Sequence, residues 1–180
     1  MAPLLGAVLC GGASRRMGVD KATLAIEGVA MARRVADALA AAGCSPLVAV
    51  GGDQRGLSAL HLDLVDDRFP GEGPLGGILT ALALGAPAVV LACDLPDITA
   101  ATIVMLVDAV GDHDAAIAYS DHAEPLCAVW SSAAAALLEA RFDTGERALH
   151  RAIECLDIAW VTVPPAELRN VNTPADLRSL

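Results

Sequence analysis

Two glycines, two adjacent arginines and a lysine lie close together near the start of the chain, within AVLCGGASRRMGVDKATL (residues 7–24). Glycines allow backbone N–H groups to approach a ligand closely, and fixed positive charge neutralises an anion. Lys21 is the only lysine among the 12 basic residues, so a compact ammonium stands where the chain otherwise uses guanidinium groups. We therefore expect this segment to bind an anionic ligand.

The spacing of this segment differs from the two commonest phosphate-binding loops. The P-loop pattern G-x-x-x-x-G-K-[ST] fails because Gly18 is not followed by lysine, and the dinucleotide pattern G-x-G-x-x-G fails because Gly11 and Gly12 are adjacent. Paired glycines alone are also typical of a tight turn that binds nothing. The remaining interpretation is a long loop that folds over a triphosphate and carries three cations: Arg15, Arg16 and Lys21.

Four apolar runs end in residues suited to binding a nucleotide. In order, they are followed by Gly11-Gly12, Gly51-Gly52, Asp66-Asp67 and Asp94. The carboxyl ends of parallel strands meet at one edge of a sheet, where ligands bind. Mg²⁺ takes one or two carboxylates together with substrate phosphates, so Asp94 is the candidate metal ligand. The alternative for Asp94 is a cap for the next helix, and for Asp66 and Asp67 a polar end to a strand.

The elements that must position these residues alternate along the chain. We predict strands over 4–9, 46–50, 62–65, 88–92, 115–118, 126–130 and 159–163, and helices over 30–42, 75–84, 99–110, 132–141 and 147–155. Continuous apolar strands separated by helices are typical of a parallel sheet covered on both faces. The sequence therefore predicts an α/β protein, a three-layer Rossmann-like fold with a mostly parallel central sheet, as one domain over 1–180.

Composition excludes several classes of function. The net charge of -10 argues against a nucleic acid or an anionic membrane surface as the main partner. The five cysteines are odd in number and widely spaced, which indicates reduced thiols in a cytoplasm and neither a disulfide framework nor a zinc site. The start of the chain lacks the basic region of a signal peptide. Residues 73–93 carry no charge, but glycines and prolines interrupt them, so we expect a loop, a helix and a strand and no membrane span.

The segment LCGGASRRMGVDK resembles the L-A-G-G-x-S-x-R-M-G-x-D-K signature of nucleotidyltransferases related to the molybdenum cofactor guanylyltransferase. Further matches extend over nearly the whole chain: GPLGG at Gly73 to Gly77, CDLP at Cys93 to Pro96, EPLCAVW at Glu124 to Trp130, GER at Gly145 to Arg147 and NVNTP at Asn170 to Pro174. The first signature and CDLP mark the wide nucleotidyltransferase superfamily. GER and NVNTP, with this length and order, favour the guanylyltransferase.

The resemblance implies a nucleotidyltransferase fold and transfer of GMP from GTP to the terminal phosphate of molybdopterin, with Mg²⁺ as cofactor. It implies catalytic roles for Arg16, Lys21 and Asp94, with Asp94 also the metal ligand. It places the nucleotide against Leu9, Cys10, Gly11, Gly12, Lys21, Gly51, Asp67 and Asp94. Two positions depart from the family pattern. Cys10 replaces an alanine, and Gly51 replaces a polar residue found in some members, which leaves the contact to the base there open.

Arg147, Asn170 and Asn172 remain as candidates for the acceptor side of the cleft, since helix capping does not explain them. The acceptor is a phosphate monoester, already deprotonated near neutral pH, so no general base is expected. Transient contact with proteins that deliver the cofactor is also expected. Two alternatives stay open: a related nucleotidyltransferase that uses CTP or another phosphorylated acceptor, and a non-catalytic nucleotide-binding module.

Overall fold

The computed structural model describes residues 4–11, 21–171 and 176. Within these residues, seven strands form one sheet in the order β5-β4-β1-β6-β8-β7-β9, and β2 and β3 form a separate hairpin. In chain order the strands are β1 (Leu5–Leu9), β2 (Ala25–Ile26), β3 (Val29–Ala30), β4 (Leu47–Val50), β5 (Asp63–Val65), β6 (Ala88–Ala92), β7 (Ala115–Tyr119), β8 (Ala123–Trp130) and β9 (Ile158–Thr162).

The sheet is parallel except at β8. Strand β1 pairs in parallel with both β4 and β6, and β4 pairs in parallel with β5. Strand β8 runs antiparallel between β6 and β7, and β9 pairs in parallel with β7. The sequences LGAVL of β1 and AVVLA of β6 are buried throughout, as expected of central strands covered on both faces. The predicted mostly parallel sheet is confirmed.

Helices cover both faces of the sheet. They are α1 (Met31–Ala41), α2 (Gln54–Leu57), α3 (Pro74–Leu84), α4 (Ala100–Val110), α5 (Ser132–Asp143) and α6 (Leu149–Ala152). Alternate residues of each strand point to opposite faces. In β1, Val8 packs in the core beneath α1 and α4, whereas Ala7 and Leu9 pack in the core beneath α3, α5 and α6. The three predicted layers are therefore present.

The uncharged stretch over residues 73–93 forms the predicted loop, helix and strand. Gly73 has φ +82 and Pro74 begins α3, where its fixed φ suits the first turn of a helix. Strand β6 then runs through the centre of the sheet. None of the helices in the described part of the chain combines the length and hydropathy that crossing a bilayer requires.

Helix α2 (Gln54–Leu57) was not predicted and β8 begins three residues before the predicted strand over 126–130, and two further local features also differ from the sequence expectations. The helix predicted over 147–155 is shorter: α6 covers Leu149–Ala152 and a 3-10 turn continues over Ile153–Cys155. It begins late because the Glu146 carboxylate accepts hydrogen bonds from the amides of Arg147 and Ala148 at 2.9 and 2.8 Å, which favours a turn there. The β2–β3 hairpin was not predicted, since two-residue strands are too short to show an alternating pattern.

Candidate active site

The candidate site lies at the carboxyl edge of the sheet, where strand order reverses. From β1 the chain proceeds to β4 and β5 on one side, then returns to β6 on the other side of β1. In sheets of this kind, ligands bind in a crevice beyond the carboxyl ends of the strands at such a reversal. The residues that follow these strands were all predicted to bind the nucleotide: Gly11 after β1, Gly51 after β4, Asp67 after β5 and Asp94 after β6.

Gly11 and Gly51 bring the ends of β1 and β4 into close contact. Gly51 has φ +69, and a Cβ atom built there would lie 3.1 Å from Gly11 Cα and 3.2 Å from Gly11 N. Any larger residue at 51 would therefore have to push the two loops apart. The backbone is held by hydrogen bonds from Gly11 N to Val50 O (3.2 Å) and from Gly51 N to Val65 O (2.9 Å). At Gly11 and Gly51 this corner, called the glycine corner below, presents backbone without side chains.

Leu9 and Cys10 contribute only backbone to this corner. Both side chains are buried in the cores on opposite faces of the sheet. Cys10 N donates to Val50 O at 2.9 Å, and Leu9 O accepts from Cys93 N at 3.1 Å. Replacement of the family's alanine by Cys10 therefore enlarges a core side chain and leaves the exposed backbone surface in place.

Lys21 and Asp94 form an ion pair across the crevice. Lys21 Nζ lies 3.6 Å from Asp94 Oδ2, and the side chains are 16% and 21% exposed. Lys21 begins the 3-10 turn Lys21–Thr23, at the end of the glycine-arginine segment, whereas Asp94 follows β6. The fold thus joins the two predicted catalytic residues that lie within the described part of the chain.

Burial raises the pKa of the Asp94 carboxyl above its ordinary value. Attraction to the Lys21 ammonium lowers this pKa, but by less. The residues described include no group of three or more His, Cys, Asp or Glu side chains able to hold a metal ion by themselves. A single carboxylate at a nucleotide site suits Mg²⁺, which binds one or two carboxylates and takes its other ligands from phosphates and water. The donor set is therefore compatible with a cation that arrives with a nucleotide.

Asp67 is the member of the Asp66-Asp67 pair whose backbone end lies beside Gly51. Asp66 is exposed, whereas Asp67 is partly buried, and its Cβ lies 3.7 Å from the position that a Cβ on Gly51 would take. Asp67 Oδ1 accepts from Phe69 N at 2.9 Å and lies 3.1 Å from the Thr80 hydroxyl. Asp67 therefore anchors the loop after β5 to helix α3.

Asn170 lies on the opposite side of Asp94 from this glycine corner. Asn170 Nδ2 donates to Glu124 Oε2 at 3.3 Å, and the next amide, Val171 N, donates to Asp94 O at 3.0 Å. The segment 170–171 thus crosses from β8 to the loop after β6. Glu124 is a polar residue of this region that the sequence-based site does not include, and its place at the start of EPLCAVW is the sequence signal for it.

Arg147 stands at the loop that enters helix α3. Its guanidinium pairs with Glu72, donates to the carbonyls of Phe142 (2.6 Å) and Glu146 (2.9 Å), and lies 3.6 Å from the centroid of the Phe142 ring. These contacts tie the end of α5 to the segment before Pro74. Arg147 therefore has a clear structural role beside its predicted acceptor role. Gly12, Arg15, Arg16 and Asn172 lie outside the described residues.

Comparison with known proteins agrees with this arrangement of the sheet. Residues 6–158 match the model of the family described as the MobA-like NTP transferase domain. A protein of Opitutus terrae named probable molybdenum cofactor guanylyltransferase is 38% identical over 186 residues, with 96% of this chain and 92% of the relative covered.

Solved structures share the fold over almost the full length. Molybdopterin-guanine dinucleotide biosynthesis protein A of Archaeoglobus fulgidus superposes with a TM-score of 0.78 at 27% identity, covering 98% of this chain and 96% of that one. A protein of Mycobacterium tuberculosis, solved in complex with manganese, has a TM-score of 0.76 at 20% identity and covers 99% and 97% of the two chains. From the family match and the full-length relative, the chain belongs to the MobA-like NTP transferase family.

Proposed function

We propose that this protein, as a single domain over residues 1–180, transfers GMP from GTP to the terminal phosphate of molybdopterin, which gives molybdopterin guanine dinucleotide and pyrophosphate. Full-length relatives that carry the name molybdenum cofactor guanylyltransferase support this substrate pair. The observation that carries the proposal is the Lys21–Asp94 pair, 3.6 Å apart at the reversal of strand order. It puts a cation for phosphates and a carboxylate for a metal in one crevice.

The nucleotide is assigned to the β1, β4 and β5 side of that crevice. The close approach of Gly11 and Gly51 supports this assignment, because a flat base or a ribose can lie directly on backbone that carries no side chains. Asp67 borders the same corner. Leu9, Cys10 and Gly12 complete the proposed nucleotide surface through their backbone groups, with the triphosphate directed towards Lys21.

The chemistry is an in-line displacement at the α-phosphorus of GTP. An oxygen of the acceptor phosphate forms the new P–O bond while the bond between the α-phosphorus and the bridging oxygen breaks, and pyrophosphate leaves with the electron pair. The protein must position two anions and neutralise charge. Lys21 and Arg16 are assigned this neutralisation. No side chain has to remove a proton, because the acceptor phosphate is already ionised near neutral pH.

Asp94 is assigned to Mg²⁺, and the manganese complex of the Mycobacterium tuberculosis protein supports a divalent cation in this fold. When bound, such an ion acts as a Lewis acid on phosphate oxygens and as a template for the leaving pyrophosphate. Without it, Lys21 holds the Asp94 carboxylate in place, which prepares the ligand before the nucleotide arrives.

The acceptor is assigned to the β8 side of Asp94. The contact of Asn170 with Glu124, and that of Val171 with Asp94, support this placement, because they line the crevice beyond the metal ligand. Arg147 and Asn172 are assigned to the acceptor by their motif positions alone, and Arg147 would reach it from beside the loop before α3. The five free cysteines, four of them buried, support a reducing cytoplasm, where transient contact with cofactor-delivering proteins would supply and remove the pterin.

Calorimetric titration of GTP and of CTP, each with and without Mg²⁺, tests the nucleotide assignment. We expect GTP to bind more tightly than CTP and its affinity to fall when the metal is removed. Tighter binding of CTP would favour the related enzyme class that uses that nucleotide. Binding of GTP without release of pyrophosphate in the presence of molybdopterin would favour the non-catalytic module.

A further inference from the structure

Glu124 is a partly buried carboxylate near Asp94. It is assigned neither to the metal ion nor to the phosphates. It lies in β8, and its two oxygens have different partners. Oε1 accepts from Leu126 N at 3.3 Å and Oε2 accepts from Asn170 Nδ2 at 3.3 Å. A carboxylate has about four lone-pair positions, so these two long hydrogen bonds leave it able to accept from a ligand.

The contacts of Glu124 place it at a defined point relative to the reacting phosphates. Asn170 holds the carboxylate, and the adjoining Val171 amide donates to Asp94 O at 3.0 Å. Glu124 is therefore connected to the proposed metal ligand through two successive residues. Because β8 lies beside β6, whereas β4 and β5 lie beyond β1, Glu124 is on the acceptor side of Asp94. The pairing of β6 with β8 ends at Leu91 and Cys127, and Glu124 lies three residues before Cys127, at the same edge of the sheet as Asp94.

The negative charge of the Glu124 carboxylate limits which groups of a ligand can bind beside it. Both substrates are anionic at the reacting end, and a second carboxylate would repel phosphate at that position. The ligand group next to Glu124 must therefore donate hydrogen bonds. In the proposed reaction the acceptor phosphate points towards Lys21 and Asp94, so its pterin ring is the part that extends towards β8.

We propose that Glu124 binds the 2-amino-4-oxo pyrimidine edge of the acceptor's pterin ring, accepting hydrogen bonds from N3–H and from the 2-amino group. Asn170 positions the carboxylate for this contact. The inference rests on the proposed function and adds a specificity-determining residue to it. Two adjacent N–H donors on a planar edge match the two oxygens of one carboxylate, the geometry that makes bidentate recognition selective. Guanine carries the same edge, so the test must separate the two rings.

The direct test compares 6-hydroxymethylpterin with 6-hydroxymethyllumazine, in which a carbonyl replaces the 2-amino group, by fluorescence titration at pH 7. The lumazine offers the carboxylate one N–H between two carbonyl oxygens. We expect the wild-type protein to prefer the pterin by at least about tenfold, since a site built for a donor rejects the analogue without it. Glu124→Gln should abolish or reverse this preference, because an amide supplies one acceptor and one donor.

Glu167→Gln is the matched control. Glu167 is also a partly buried carboxylate, but it accepts from the Thr99 amide and hydroxyl at 3.0 and 2.9 Å at the start of α4. We expect this variant to keep the wild-type preference for pterin. A purely structural role of Glu124 would lower the thermal midpoint of Glu124→Gln without moving the ratio of pterin to lumazine affinity, and that result would overturn the proposal.

Two further outcomes would also overturn it. One is that the wild-type protein binds the two rings with equal affinity or binds neither. This outcome is measured on the wild-type protein alone. The other is a change in the preference for GTP over ITP in Glu124→Gln, because it would assign the carboxylate to guanine. Failure of the proposed function appears separately, as no pyrophosphate release by the wild-type protein from GTP with molybdopterin, whatever the pterin titration gives.

Discussion

Lys21 Nζ lies 3.6 Å from Asp94 Oδ2, so the residue that ends the glycine-arginine segment meets the residue that follows the central strand β6. Both side chains are mostly buried, and each supplies the charge that the other needs when no nucleotide is present. The attraction between them offsets only part of the cost of burying the Asp94 charge, because burial still raises the pKa of that carboxyl. Substitution of Asp94 can therefore test its proposed role in catalysis separately from its effect on stability.

Asp94→Asn should abolish metal-dependent turnover and leave the fold intact. The amide keeps the shape of the side chain but loses the charge that binds the cation, so we expect turnover to fall at least about a hundredfold. Circular dichroism checks the fold, and pyrophosphate release with varied Mg²⁺ checks activity. Asp97→Asn is the control. Asp97 lies three residues after Asp94 and pairs with Arg169 at 2.7 Å, so this variant should retain activity. Mg²⁺-dependent turnover at the wild-type level in Asp94→Asn would contradict the assignment.

Protonation of Asp94 should make the free energy of unfolding depend on pH. Burial raises the pKa of this carboxyl in the folded protein above its ordinary value of 3.8, so the folded state binds more protons than the unfolded state just above that pH. The stabilisation is therefore complete below pH 3.8 and is lost as pH rises through the raised pKa. The free energy of unfolding, measured against pH without metal, should fall for wild type relative to Asp94→Asn across this window. A difference that stays constant or grows with pH would contradict the prediction.

Gly51→Ala should weaken GTP binding as well as stability. Alanine at φ +69 is strained by about 1–2 kcal/mol, and its Cβ would lie 3.1 Å from Gly11 Cα. The two loops must then separate, so we expect GTP affinity to fall by about tenfold or more, measured by calorimetry.

Gly43→Ala provides the matched control for backbone strain. Gly43 has φ +87 and a Cβ there would meet nothing within 4 Å, so the substitution adds strain at the end of α1 without touching the glycine corner. Both variants should lose stability through backbone strain, Gly51→Ala more because its Cβ also meets Gly11, and only Gly51→Ala should lose GTP affinity. Equal GTP affinities in the two variants would remove Gly51 from the nucleotide surface.

The only lysine of the chain allows a labelling experiment on the phosphate site. An amine-reactive reagent should modify Lys21 and the N-terminus, and saturating GTP with Mg²⁺ should protect Lys21 while the N-terminal amine reacts as before. Mass spectrometry of the digested protein gives the two extents of modification. Modification of Lys21 that does not respond to GTP would exclude it from the phosphate site.

Features that follow directly from strand ends were predictable from the sequence. Apolar runs ending in Gly51 and Asp94 predict both the strands and the crevice, because buried parallel strands are continuous in hydropathy and their carboxyl ends share one edge. The order of the strands, which places Lys21 against Asp94, does not follow from periodicity. It was accessible only through the resemblance to a known family.

The contact of Asn170 with Glu124 shows what the sequence leaves undetermined. The two residues are 46 positions apart and meet where β8 runs antiparallel and its register against β7 shifts, from Ala128 opposite Ile117 to Glu124 opposite Ala118. Such a meeting depends on topology and on a local irregularity, neither of which appears in composition or spacing. The β2–β3 hairpin is not predictable because its two-residue strands show no alternating pattern, and its turn places Glu27 at φ 51, where a non-glycine residue is uncommon.

The most direct test of the account is product analysis after incubating the protein with Mg²⁺, molybdopterin and either GTP or CTP. We predict release of one pyrophosphate for each molybdopterin guanine dinucleotide formed with GTP, little product with CTP, and none with GTP when Asp94→Asn replaces the wild-type protein. Formation of the cytosine dinucleotide in preference to the guanine form, or no dinucleotide from either nucleotide, would contradict the proposed guanylyl transfer.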